Sequence, residues 1–231
     1  MLERIFLLEE EKQNFRLLAV LGLLSGIVGF TVARILFPSQ SDILSVLFAA
    51  IPLIYSLTEK FLEDESEKLP HVPEVEMYLS IFAGLSLAFG LLSVHFPGSF
   101  DAQSAIVGLS SAAVQDVSFS LILTNNLTVF SSIFIVSMFI GSAGAFILSW
   151  NASVFGVFMA KVASSDPLMT LSYLPHSLFE MSGFVIGGIA GSLISAAAYR
   201  GDFDREIWMD YIKLLLAGIG CIVIGALLET V

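Results

Sequence analysis

The chain has 231 residues, of which 56% are hydrophobic and only 13% are charged, and its mean hydropathy is +0.89. Soluble domains carry roughly 25% charged residues, so this composition excludes an ordinary soluble protein. The net charge of −11 argues against a nucleic-acid partner, which would select clustered Lys and Arg. The apolar blocks approach the ~20 residues that a helix needs to cross a bilayer. We therefore predict an all-α, polytopic bundle of transmembrane helices in a lipid bilayer.

The first predicted element is an amphipathic interfacial helix over residues 1–16, where Leu, Ile and Phe mix with charges at helical spacing. Because a full-length apolar run follows directly, we expect a retained anchor rather than a cleaved signal peptide. Six spans are predicted at about residues 17–37, 43–57, 77–96, 127–148, 175–198 and 211–228. The second span is short and interrupted by Pro52, and Trp150 is expected to mark the far interface of the fourth. The whole chain, 1–231, is interpreted as a single transmembrane domain.

Two segments are ambiguous. Residues 98–124 are rich in Ser and Gly, and the pattern fits either an interfacial helix followed by a turn or a re-entrant piece. Residues 152–174 hold a short apolar segment and then a helix-start signal at 164–167, where a capping side chain is followed by proline. Pro175 restarts or kinks the helix that follows. If 152–174 crosses as a broken pair, the chain has seven spans instead of six.

The positions of the basic residues predict the orientation. Three basic residues precede the first span, and Lys60 and Lys68 lie between the second and third spans. Since Lys and Arg concentrate on the cytoplasmic side, we expect a multipass cell-membrane protein with a cytoplasmic N-terminus. Arg200 and Arg205 would lie outside with six spans and inside if residues 152–174 cross, so the same rule favours crossing.

Glu180 is the residue that most strongly suggests chemistry. It lies within the apolar helix LPHSLFEMSGFVIGGIAG, where a carboxylate is costly unless it is paired or faces water. His176 precedes it by four residues and therefore shares its helix face. The two side chains could share a proton or hold a cation, or Glu180 could serve a structural role at a helix end.

Three asparagines bracket the fourth predicted span, Asn125 and Asn126 before it and Asn151 after it. Asn side chains satisfy free backbone groups at helix ends, so capping is the favoured interpretation. A direct functional role for the three amides stays open.

Gly183, Gly187 and Gly191 recur every fourth residue and so lie on one helix face. Small residues let another backbone approach closely, which predicts helix packing within the chain or across a homodimer. The sequence has no His-Glu-x-x-His motif, no Gly-x-Ser-x-Gly elbow and no P-loop. Its three histidines form no ligand cluster. We therefore expect no catalytic residues, no metal and no cofactor.

The second half of the chain, residues 115–198, resembles the stage II sporulation protein M family of small membrane proteins. The resemblance rests on LILTNNLTVFSSIFIVSMFIGSAGAFIL, on the Trp150-Asn151 turn, and on LPHSLFEMSGFVIGGIAG, which is similar to the family's Pro-His-Gly-x-x-Glu helix. Ala152 and Ser177 stand where the family usually has glycine. On these motifs, the matched functional candidates are Asn125, Asn126, Asn151, His176 and Glu180.

The resemblance implies a membrane partner of other proteins. The sporulation member is regarded as a partner of peptidoglycan-remodelling proteins, and some relatives are linked to transport systems. Our leading hypothesis is a non-enzymatic scaffold or partner subunit that forms a homo-oligomer, a dimer, with other membrane proteins as further partners. The alternative is a channel or transporter for a proton, a cation or a small solute that uses His176 and Glu180 in a broken-helix site. An intramembrane hydrolase that uses the same two residues on water is a third, weaker hypothesis.

Overall fold

The computed structural model describes residues 15–63, 72–113, 118–201 and 205–230, and the predicted interfacial helix over 1–16 lies almost wholly outside them. Within these ranges the chain is helical, with eight α-helices and no strand: α1 Phe15–Leu36, α2 Ser41–Glu63, α3 Val72–His95, α4 Asp101–Ala113, α5 Phe119–Ile140, α6 Gly144–Ser165, α7 Pro167–Arg200 and α8 Arg205–Glu229. Six of the described helices, α1, α3 and α5 to α8, are long and apolar enough to cross a membrane. The predicted all-α transmembrane bundle is confirmed.

The predicted fourth span, 127–148, is wrong. The helix that begins at Phe119 ends at Ile140, and the chain turns at Gly141, whose φ of 62° is accessible mainly to glycine. A second helix of full length, α6, then begins at Gly144. Trp150 therefore lies inside α6 and marks no interface. The turn contains only small, uncharged residues, so hydropathy runs through it without a gap.

The ambiguous segment 152–174 does not cross as a broken pair: it contains the second half of α6 and the first part of α7, and α6 as a whole is long and apolar enough to cross. The predicted helix start is confirmed, since Asp166 Oδ1 accepts hydrogen bonds from the amides of Leu168 and Met169 at 2.9 and 3.2 Å. The helix does not restart at Pro175, because α7 continues through it to Arg200. Proline is tolerated inside transmembrane helices because neighbouring helices, side chains and small local adjustments satisfy the backbone groups that it frees.

The second span also differs from the prediction, whereas residues 98–124 contain a short helix, which fits one of the two alternatives, and end inside α5. Pro52 does not interrupt α2, which runs unbroken from Ser41 to Glu63. After α3 the chain makes a short 3₁₀ turn at Pro97–Ser99 and enters α4, a helix of 13 residues and about 20 Å. That length is too short to cross a hydrocarbon core of ~30 Å.

Close contacts at glycines give the helix directions. A Cβ atom at Gly22 of α1 would collide with the carbonyl of Ile81 in α3, and one at Gly26 would meet Ala88. Contact positions advance together along both helices, so α1 and α3 run parallel. Helix α2, which follows α1 and precedes α3 in the chain, runs antiparallel to both. The same contacts join α3 to α6, where Gly156 lies against the backbone of Ser86. Short glycine contacts therefore connect α1 to α3 and α3 to α6.

Helix α7 is the central helix among α5, α7 and α8. Between Gly183 and Ala197 nearly every residue is buried, and the buried side chains include Phe184, Val185 and Ile189. Helix α5 runs parallel to α7 on one side, and α8 runs antiparallel on the other. As a result α5, α7 and α8 form a three-helix layer that packs on α3 and α6.

We predict that Gly84→Ala destabilises the protein, whereas Gly220→Ala does not. A Cβ atom at Gly84 would collide with the carbonyl of Ala19, while one at Gly220 meets nothing within 4 Å. Overpacking costs about 1–3 kcal/mol, which is a fall of roughly 3–10 °C in melting temperature for a chain of this size. Thermal melting of both purified variants measures the difference. Equal melting temperatures would contradict the close α1–α3 contact.

Candidate functional site

Glu180 and Asn126 meet across the interface between α7 and α5. Asn126 Nδ2 donates a hydrogen bond to Glu180 Oε1. Both side chains are buried, with exposed fractions of 9% for Glu180 and 7% for Asn126. From α8, Gly225 closes the third side, since a Cβ atom there would lie 2.5 Å from Glu180 Cγ. The carboxylate therefore sits at a junction of three helices.

The depth of this junction follows from the helix registers. Asn126 lies seven residues after the start of α5, about 10 Å along the helix, and Gly225 lies four residues before the end of α8. Glu180 is thus roughly a third of the way into the bundle from the face where α5 begins. A carboxylate at this depth is costly without a partner, and the amide of Asn126 supplies a donor.

His176 lies one turn of α7 nearer to that face. Its ring packs edge-on against Tyr173, with ring centres 5.7 Å apart. Across the described ranges, no hydrogen bond joins His176 to Glu180. Glu229, exposed at the end of α8, lies about one helical turn beyond Gly225, which packs against the His176 carbonyl and the Glu180 side chain. The four residues Asn126, His176, Glu180 and Glu229 form a polar group that we call the Glu180 cluster.

The Glu180 cluster can accept hydrogen bonds and hold a proton, but its ligand set does not suit a metal. Among the described residues, no group of three or more His, Cys, Asp or Glu side chains could hold a metal ion. Within the described ranges, the one hydrogen bond that Glu180 accepts comes from a neutral amide. The arrangement joins α5, α7 and α8, and the buried side chain of Ser177 lies three residues before Glu180 on the same helix.

The asparagines do not cap helices, so the capping interpretation is wrong. Asn126 lies inside α5, whose N-cap residue is Ser118, and Asn151 lies inside α6. Asn151 Nδ2 donates to the carbonyl of Ile147 in its own helix at 2.8 Å, away from the Glu180 cluster. Asn125 points outward from α5 and is exposed, although it adjoins the buried Asn126. The interpretation failed because the helix ends had been placed incorrectly.

The three predicted packing glycines face neighbours within this chain. A Cβ atom at Gly183 would lie 2.7 Å from Ile222 of α8, and one at Gly187 would lie 2.8 Å from the ring of Phe130 in α5. Gly191 meets the backbone of Phe134, also in α5. The glycine face of α7 is therefore covered on both sides by the protein itself.

A second polar group, missed in the sequence, positions the short helix α4. Gln103 is fully buried, and its Nε2 donates to the Asp42 carbonyl at 2.8 Å and to Ser153 Oγ at 3.3 Å. Asp42 Oδ2 accepts from the amide of Ala102 at 3.2 Å. A repeated pattern signals this group, because Phe-Pro-x-x-x-Asp occurs at both 37–42 and 96–101. Each copy opens a 3₁₀ turn that leads into a helix.

Comparison with known proteins shows one family and one relative. The family described as stage II sporulation protein M matches residues 79–231, a wider range than the predicted 115–198. An uncharacterized protein of Methanocaldococcus jannaschii is 33% identical in an alignment 121 residues long, which covers 48% of this chain and 68% of that protein. No solved structure matches the chain.

We predict that Asn126→Leu destabilises the protein, because it leaves the buried Glu180 without its donor. An unsatisfied buried polar group costs about 1–3 kcal/mol, or roughly 3–10 °C of melting temperature here. The matched control is Asn151→Leu, which removes only a bond to its own helix and is expected to have a much smaller effect.

The double variant Asn126→Leu with Glu180→Leu separates pairing from packing. Removing both partners leaves no orphaned group, so we expect it to recover part of the stability lost in Asn126→Leu. Simple additivity of the two single changes, measured by thermal melting, would contradict a coupled pair.

Proposed function

The chain belongs to the stage II sporulation protein M family, and on that premise we propose that it is a non-enzymatic scaffold or partner subunit of a membrane complex. The closed packing around Glu180 is the observation that carries this proposal. A substrate or ion would need space and water beside the carboxylate, whereas Asn126 and Gly225 occupy two of its sides.

The first half of α7 offers a surface for a partner. The apolar stretch Pro167–Tyr199 is about 50 Å long, well beyond a hydrocarbon core of ~30 Å. From Ser164 to Pro175 no residue is buried, in contrast to the buried second half. The exposed large apolar side chains of this half are Leu168, Met169, Leu171, Leu174, Leu178 and Phe179. We propose that this half of α7, called the α7 arm (167–179), contacts transmembrane helices of a partner protein.

We further propose that the N-terminus faces the cytoplasm of a cell in whose membrane the protein lies. Because α6 crosses the bundle, one membrane face of the bundle has more basic residues at its helix ends than the other. One face has four of them at helix ends: Arg16, Lys60, Arg200 and Arg205. The other face has Arg34 and Lys161. The rule that Lys and Arg concentrate inside supports a cytoplasmic first face and places the α7 arm toward the outside.

We predict that a partner copurifies with the tagged protein from its own membranes in mild detergent, and that the double variant Leu171→Ala, Leu178→Ala recovers less of it. Both leucines are 61% exposed, so their truncation removes contact area without opening the core. We expect at least a fivefold loss of partner, which is about 1 kcal/mol. The matched control is Leu216→Ala, Leu227→Ala on α8, whose leucines are also exposed. Equal recovery from both double variants would contradict the α7 arm as the contact.

Orientation is tested with single cysteines in a Cys221→Ala background. Ser165→Cys lies at the end of α6, and Tyr199→Cys lies near the end of α7, where the tyrosine is 84% exposed. We expect a membrane-impermeant thiol reagent to label position 165 in intact cells and position 199 only after permeabilisation. The reverse pattern would invert the proposed topology.

A transporter of protons or cations is the second candidate, and the position of Glu229 favours it. This exposed carboxylate lies about one helical turn beyond Gly225, which packs against His176 and Glu180, so the Glu180 cluster extends from the end of α8 to the buried junction. In this mechanism Glu180 must exchange with water. A hydrophobic carbodiimide would then modify Glu180 in native membranes, and mass spectrometry of the peptide detects the adduct. An unmodified Glu180 would exclude this candidate.

A further inference from the structure

The outward face of α5 has a polar stretch that points away from the bundle, between the exposed Leu121 on one side and the exposed Ile135 and Phe139 on the other. The residues of this helix that are buried against α7 are Ile122, Asn126, Phe130, Ile133 and Ser137. Only 22% of the residues in its most apolar stretch are buried inside the protein. The exposed side carries a run of small or polar residues, which we call the α5 outer face: Thr124, Asn125, Thr128, Ser131 and Ser132.

Two hydroxyls of the α5 outer face are already satisfied. Thr128 Oγ1 donates to the Thr124 carbonyl, and Ser132 Oγ donates to the Thr128 carbonyl, each at 2.8 Å. These side chains therefore form a low ridge with a spacing of four residues and no free donor. Such small-xxx-small ridges allow the backbone of a neighbouring helix to approach closely.

The side-chain amide of Asn125 needs hydrogen-bond partners that lipid tails cannot supply. Its Nδ2 lies 3.5 Å from Asn126 Oδ1, which is too long for a strong hydrogen bond. Its Oδ1 accepts no hydrogen bond from any part of the chain that the structure describes. Asn125 lies six residues, about 9 Å, after the start of α5, and an Asn side chain is too short to reach the head groups from there. A polar amide at this depth calls for a partner helix.

We propose that this partner is α5 of a second copy of the chain, packed parallel along the α5 outer face with Asn125 hydrogen-bonded to Asn125 of the other copy. An amide contains both a donor and an acceptor, so two identical amides related by a two-fold axis complement each other. Helix α5 carries no charged residue, and nothing on it repels its copy. The glycine face of α7 is covered by α5 and α8 and leaves no room for a dimer there. The proposal does not depend on the scaffold function.

Cysteine crosslinking tests the proposal in native membranes. In a Cys221→Ala background, Thr124→Cys, Thr128→Cys and Ser132→Cys place one thiol each on the ridge, and the chain then has no other cysteine. We expect a membrane-permeable oxidant to produce a covalent dimer at these three positions. The control is Leu216→Cys, at an outward position of α8 that is 64% exposed. Crosslinking no greater than at Leu216, or adducts with a protein of another mass, would overturn the proposal.

Substitution of Asn125 tests the hydrogen bond itself. In the Thr128→Cys background we expect Asn125→Leu to lower the crosslinked fraction about three- to tenfold, the effect of one interhelical polar contact. Asn125→Gln keeps an amide and is expected to retain most of the dimer. Because Asn125 is exposed, neither change should lower the melting temperature of the purified chain. An undiminished dimer in Asn125→Leu would overturn the role of this amide.

Discussion

Hydrocarbon offers no hydrogen bonds, so a polar side chain inside a bilayer depends on the protein for its partner. The hydrogen bond from Asn126 to Glu180 supplies such a partner for the buried carboxylate. It joins α5 to α7 at the level where Gly225 brings α8 into contact with both. Since α7 is the central helix of this half, the positions of its two neighbours depend on that junction. The carboxylate thereby stabilises the architecture, which explains why a costly group can persist in an apolar helix.

Close contacts at glycines hold the other helices of the bundle together. There is little hydrophobic driving force between helices in lipid, so association depends on close packing. Gly22 and Gly84 bring α1 and α3 together, and Gly156 brings α6 onto α3. The covered glycine face of α7 leaves two distinct surfaces for other molecules, the α7 arm and the α5 outer face. A scaffold needs surfaces of this kind, and a rigid, glycine-packed core holds them at a fixed separation.

Composition and block length were sufficient to predict the fold class, because the length and apolarity of a crossing helix are set by the bilayer. The sequence also indicated Glu180 and the asparagines beside α5 as unusual. What it did not predict was the turn at Gly141, since three small, uncharged residues interrupt a helix without lowering hydropathy. Missing that turn placed the end of the span at 148 and made Asn151 a supposed cap, and starting the span at 127 instead of 119 did the same for Asn126. The pairing of Asn126 with Glu180 spans 54 residues, and no local pattern reports a contact at that separation. The Gln103 group was missed for the same reason, although its repeated Phe-Pro-x-x-x-Asp motif is visible once sought.

We propose that Glu180 joins helices and transports nothing. Proton and cation flux can be measured in liposomes that contain the purified chain, beside Glu180→Gln and protein-free liposomes. We expect both proteins to give the same flux as empty liposomes. Flux through the wild-type chain that Glu180→Gln abolishes, with folding intact by thermal melting, would contradict it.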